Sequence, residues 1–154
     1  MPRFVPLMLT LIGAGFATSA VADPCRSIDR LISTNVATGS SPTDWAQFLA
    51  ANFGSNSRSR QSNVCTSSDS ELAICRWQFS LRDVEAQTLY RDLGDTIAGC
   101  VADPGDIFQD VPVNHPDAYS ATIFPFPGHQ LSLSIKDKSA LGATFVVFRV
   151  KSAP

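Results

Sequence analysis

The sequence predicts an α+β two-layer sandwich: an antiparallel sheet of three to five strands, helices packed on one of its faces, and two disulfides. Three observations carry this. Residues 75–82 alternate apolar and polar side chains, the period of a strand with one buried face, and over 84–101 the period lengthens to three and four, that of a helix with one apolar stripe. From residue 119 onward, strand-like runs follow one another through short turns, which implies antiparallel pairing. The four cysteines, Cys25, Cys65, Cys75 and Cys100, all follow a segment that reads as a secretory signal, and an even count there reads as two bridges.

Residues 1–22 have the make-up of that signal. Arg3 is a small positive start, residues 4–16 are apolar apart from Thr10, and Ala20-Val21-Ala22 is a small-x-small cleavage site. The apolar run is too short to span a bilayer. Cleavage after Ala22 leaves one domain, 23–154, long enough to bury a core of its own. Arg3 is the one charged residue removed, so 11 of the 12 basic residues remain against 14 acids, a formal charge of −3. That balance excludes nucleic acid as an expected partner. The absence of an Asn-x-Ser/Thr site and the short leader favour a bacterial periplasm.

A first helix is expected over 24–32, with Cys25, Ile28, Leu31 and Ile32 on one side. A second starts at Ser41-Pro42-Thr43-Asp44, with Ser41 as N-cap and Asp44 reaching back to it. Trp45, Phe48, Leu49 and Phe53 form its apolar stripe, a core pattern. Residues 55–63 are a serine-rich loop, and Arg58 and Arg60 within it make no basic patch by themselves. A short strand at 64–66 and a turn at 67–70 lead as a hairpin into the strand at 75–82.

That strand and the helix after it have matched lengths, roughly 23 Å at about 3.3 Å per residue and roughly 24 Å at 1.5 Å per residue. A helix folded straight back would set Cys100 beside Cys75 and place Trp77 beneath Leu89 and Leu93. The length argument therefore favours Cys75–Cys100 with Cys25–Cys65. The hairpin supports a rival pairing, Cys65–Cys75 with Cys25–Cys100, and spacing alone does not choose between them. Asp83 is the expected N-cap of this helix and Asp103-Pro104-Gly105 its stop.

Residues 102–118 form a long irregular connection, and strands are expected at 119–126, 130–136 and 143–151. The last carries Phe145 and Val147 on one side and Val146, Phe148 and Val150 on the other, which places it centrally or under helices. Gly142, in the turn 137–142, supplies a positive φ.

The chemistry on offer is sparse. His115 with Asp117 would make an oriented base, His129 an acid partner and Lys136 a holder of an oxyanion. Asn114 to Asp117 is equally a turn fixed by Pro116. The acids of 102–118 lack the spacing of a calcium loop, and no cysteine or histidine pair has zinc spacing, so no metal is assigned. With no phosphate-binding glycine loop and no nucleophile elbow, no cofactor is assigned either. Two classes follow. One is an exported protein acting by non-catalytic contact, an inhibitor, immunity or envelope accessory protein. The other is a small hydrolase or ligand-binding module built on the His115, Asp117 and His129 loops. If the protein binds a partner protein, Phe124, Phe126 and His129 are the expected contact. The prolines beside the two rings stiffen them, and at least one ring is expected to be accessible.

Overall fold

The computed structural model describes residues 23–37, 41–53, 62–68, 71–111 and 117–153. Residues 1–22, expected to be a signal, and Arg58, Arg60 and His115 lie outside them. Helices α1 (Pro24–Ala37) and α2 (Pro42–Phe53) come first. A hairpin of β1 (Ser62–Ser68) and β2 (Glu71–Ser80) follows, then α3 (Val84–Ala98). The chain ends in β3 (Phe108–Gln109), β4 (Tyr119–Phe126), β5 (His129–Lys138) and β6 (Ala143–Ser152).

The helix starts follow from their caps. The Asp44 carboxylate accepts the Ser41 N–H at 2.8 Å and the Ser41 hydroxyl at 3.2 Å, fixing the entry to α2. Asp83 accepts the Glu85 N–H at 2.8 Å and opens α3. The aromatic stripe of α2 turns inward, where the Trp45 ring lies 5.4 Å from that of Phe148 on β6. Asp103 accepts the Gly105 N–H at 2.8 Å and starts a single 3-10 turn, Pro104–Asp106, that carries the chain away from α3.

The strands form one antiparallel sheet in the order β1-β2-β6-β5-β4-β3. The sheet has six strands where three to five were expected. The extra one is β3, two residues inside the 102–118 connection, too short to show any period. β6 lies between β2 and β5, the central place that its two apolar faces predict.

The three described helices lie on one side of the sheet. α2 covers β1 and β2, α1 packs on α2, and α3 crosses β4, β5 and β6. Register sorts the side chains. Trp77 and Phe79, Val146 and Phe148, Leu131 and Leu133, and Phe124 all face the helices and are buried. Trp77 is thus in the core as expected, but its strand lies beneath α2, not beneath Leu89 and Leu93.

That crossing also decides the disulfides. The bridges are Cys25–Cys100 and Cys65–Cys75, not the Cys75–Cys100 and Cys25–Cys65 pairing that the length argument favours. The lengths match, but α3 does not lie back along β2, because β6 takes the place beside β2 and α3 runs over the strands beyond it. Cys65 stands directly opposite Cys75 in the hairpin register, with 4.0 Å between Cα atoms. Cys100, in the turn after α3, meets Cys25 in the first turn of α1.

The two hairpins after α3 turn on glycines. Pro127-Gly128 joins β4 to β5, with Gly128 at φ +69°, the proline-then-glycine order of a type II turn. Pro125 is paired with Gln130, one step before the hydrogen-bonded pair at the turn, so its missing N–H falls on the side away from β5. β3 reaches only as far as Ile123, so no ladder bond is lost there. Gly142, at φ +58°, ends the 3-10 turn Ser139–Leu141 that leads into β6.

One buried polar cluster locks the β2–α3 turn to β5 and β6. Arg82 has φ +58°, an uncommon conformation for a side chain of its size. Its N–H donates to the Thr144 hydroxyl oxygen at 2.7 Å, and that hydroxyl donates to Asp137 at 2.6 Å. The other Asp137 oxygen lies 3.5 Å from the Arg82 Nε. Asp137 and Thr144 are both buried. Thr144→Val leaves a buried carboxylate short of a donor and a backbone N–H short of an acceptor. Such a change should cost about 1.5–3 kcal/mol in a urea melt, while Thr144→Ser should stay within about 1 kcal/mol of the parent. Equal losses for the two would mean that packing, not the hydroxyl, matters here.

Candidate functional site

No described helix covers the other side of the sheet. Its side chains come from the same strands at the alternate positions: Ile74 and Arg76 on β2, Phe145, Val147 and Arg149 on β6, Ser134, Lys136 and Lys138 on β5, Tyr119 on β4 and Val64 on β1. They line a trough of about 750 Å³, with Leu141 at one end. Its floor is low because Val147, Ser134 and Ala121 stand side by side across three strands. Ser134 and Ala121 are buried among larger neighbours. Among the described residues, three of the five well-exposed large apolar side chains belong to this side: Val64, Leu141, and Phe108 at the β3 edge.

Among the described residues, four cations stand around the trough and no acid lines it. The Arg76 guanidinium lies 5.5 Å from the centre of the Phe145 ring, and the Lys136 ammonium 5.7 Å from that of Tyr119. Arg149 is held by Glu71 at 3.4 Å and Lys138 by Asp117 at 3.4 Å. Asp117 also accepts the Ser139 N–H at 2.9 Å. That backbone bond, with Lys138 helping, holds the Asp117 carboxyl below its ordinary range. Ten of the 14 acids belong instead to the helices, to their caps or to residues 99–110, where Arg26, Arg30 and Arg91 are the only bases. The charge of the molecule is therefore divided between its two sides, acidic on the helices and basic on the open sheet.

The residues singled out from sequence are scattered. His129 starts β5, is buried, and has its Nδ1 3.2 Å from the Pro127 carbonyl oxygen. Asp117 precedes β4, at the far end of the same hairpin. The eight residues of β4 separate the two by roughly 24 Å at about 3.4 Å per residue. Among the described residues, Asp117 and His129 are therefore not brought together. His115 lies outside the described residues. Phe124 and Phe126 are 1% and 8% exposed, so neither ring offers the accessible surface expected of it. Both point under the helices, because their alternation puts them in phase with Leu131 and Leu133. Of the acids in the long connection, Asp103, Asp110 and Asp117 each accept a backbone N–H, the turn duty that their irregular spacing suggests.

Lys136 is the one sequence candidate that belongs to the trough. Arg76, Phe145, Val147 and Arg149 were legible as alternate positions on two strands. That these positions adjoin is a fact of register between β2 and β6, which no local pattern carries. A second hollow, about 440 Å³ between α3 and β4, is crossed by the Tyr90 hydroxyl, which bonds Ser120 at 3.2 Å and Thr122 at 3.1 Å.

The sequence matches no family model and no curated protein.

Proposed function

We propose that this is an exported protein, released from residues 1–22 by cleavage after Ala22, that acts by non-catalytic binding, as an inhibitor, immunity or accessory protein of the bacterial envelope. Its working surface is the open side of the sheet. The observation that carries this reading is the combination on that side of exposed apolar side chains, two aromatic rings and four cations in a chain whose formal charge is −2. A sheet side with no function beyond solubility would carry mixed charges and few apolar groups. The two disulfides fit an oxidising compartment, and no described helix is long and apolar enough to cross a membrane.

Two measurements test it. N-terminal sequencing of the exported protein should begin at Asp23, and a product retaining residues 4–16 would refute the processing. A photo-crosslinking benzoylphenylalanine in place of Phe145 should give one stoichiometric adduct in the envelope fraction, whereas the same group in place of the exposed Gln87 on α3 should give none. Adducts at both positions, or at neither, would remove the open sheet as the working surface.

A further inference from the structure

Resting on that reading of the open sheet, we propose that the trough takes an acidic segment of a partner protein, with carboxylates seated between Arg76 and Lys136 and apolar side chains on Val64, Val147 and Leu141.

The two cations differ from their neighbours. Arg149 and Lys138 already have carboxylates, Glu71 and Asp117, at 3.4 Å. Among the described residues, no carboxylate lies within ion-pair distance of Arg76 or Lys136, and each instead lies near an aromatic ring. Arg76 on β2 stands opposite Val147 of β6, and Lys136 on β5 opposite Phe145, so the two cations are diagonal to each other across β6. Two strand spacings across and two residues along separate their backbones, about 12 Å. Two long flexible side chains at that separation can close on one carboxylate above the Phe145 ring. Arg76 and Arg149 are also diagonal neighbours on adjacent strands, and Lys136 and Lys138 are two apart on one strand. Like charges at such spacing repel, and an added anion relieves the repulsion.

The shape and the charge narrow the occupant. A bilayer surface is flat and leaves a trough unfilled, whereas a strand or a helix fills it. Nucleic acid demands phosphate-contacting cations in number, and here two of the four are already matched by acids. The leader 1–22 and residues 54–61 of this chain hold three arginines and no acid, so charge does not draw them in. A second copy remains chemically possible through its acidic helix side. Such contacts are head-to-tail and do not close, so they would appear as concentration-dependent growth.

The test uses the oxidised protein and a labelled twelve-residue peptide in which glutamate alternates with leucine and phenylalanine. Fluorescence anisotropy should show saturable binding that weakens about tenfold between roughly 0.02 and 0.3 M salt, as expected of solvent-exposed ion pairs. The same peptide with glutamine in place of glutamate should bind at least tenfold more weakly. Arg76→Ala combined with Lys136→Ala should abolish the difference between the two peptides without shifting the melt, since neither side chain is in the core. Equal binding of the two peptides, or a double variant that still prefers the acidic one, overturns the proposal. So does tighter binding to phosphatidylglycerol vesicles, or self-association that the double variant abolishes. If neither peptide binds while the adduct at position 145 still forms in the double variant, the acidic chemistry is wrong and the working surface stands. If position 145 captures nothing, the surface itself is wrong.

Discussion

Trp77→Ala is expected to remove about 3–5 kcal/mol of stability in a denaturant melt, as large-to-small changes at fully packed positions do. Trp77 is 2% exposed and pairs in register with Val146, which is fully buried. Its neighbours are held from several directions, by the Cys65–Cys75 bridge two residues away and by α2 above. A site so constrained has little freedom to collapse around the missing ring. Arg76→Ala, one residue along and on the open side, supplies the contrast and should change stability by no more than about 0.5 kcal/mol. A loss below about 1 kcal/mol at Trp77, or similar losses at both positions, would mean that the two sides of β2 are assigned the wrong way round.

The second large effect is expected from the bridge that spans most of the fold. Cys25–Cys100 closes a separation of 75 residues and Cys65–Cys75 one of 10. Chain entropy alone assigns them about 4.5 and about 2.7 kcal/mol respectively. Replacing Cys25 and Cys100 together with alanine should therefore destabilise more than the same change at Cys65 and Cys75, by about 1.5–2 kcal/mol. The hairpin pair is already held together by its ladder, which narrows what its bridge adds in the folded protein. A reversed order of the two double variants in a urea melt would contradict the entropic account. Peptide mapping without reduction gives the connectivity itself. A fragment joining Cys75 to Cys100 would contradict both the structure and this ranking.

What was legible in the sequence was local. The Ser41–Asp44 cap, the Asp83 cap, the left-handed Gly142 and the alternation through Trp77 and Phe79 each depend on residues within one turn or one strand. Alternation says which side of a strand a residue faces, but not which strand lies next to it. That single missing item accounts for both the disulfide pairing and the helix assigned above Trp77, since each assumed that α3 returns along β2. Phe124 and Phe126 misled for a related reason. Their flanking prolines do mark a strand with a free edge, but a free edge leaves the faces unchanged, and the rings keep the phase of Leu131. The basic trough needed three registers at once, β2 with β6, β6 with β5 and β5 with β4, and none of these is written in a run of neighbouring residues.

The position of β6 has a kinetic consequence. The β1–β2 hairpin shares no ladder with the group β3, β4 and β5, and β6 alone joins the two. Folding of the sheet is then governed by contacts of long sequence separation, such as Ala73 with Val150 and Trp77 with Val146. Loops of that length must close before their pairing repays the entropy, which places the chain among slow folders for its size. A chain that emerges from its N-terminus during synthesis cannot complete its sheet until β6 has appeared. Until then the edges of β2 and β5 stand open, ready for a stranger's strand, and the interval is one in which a holding chaperone would have a use.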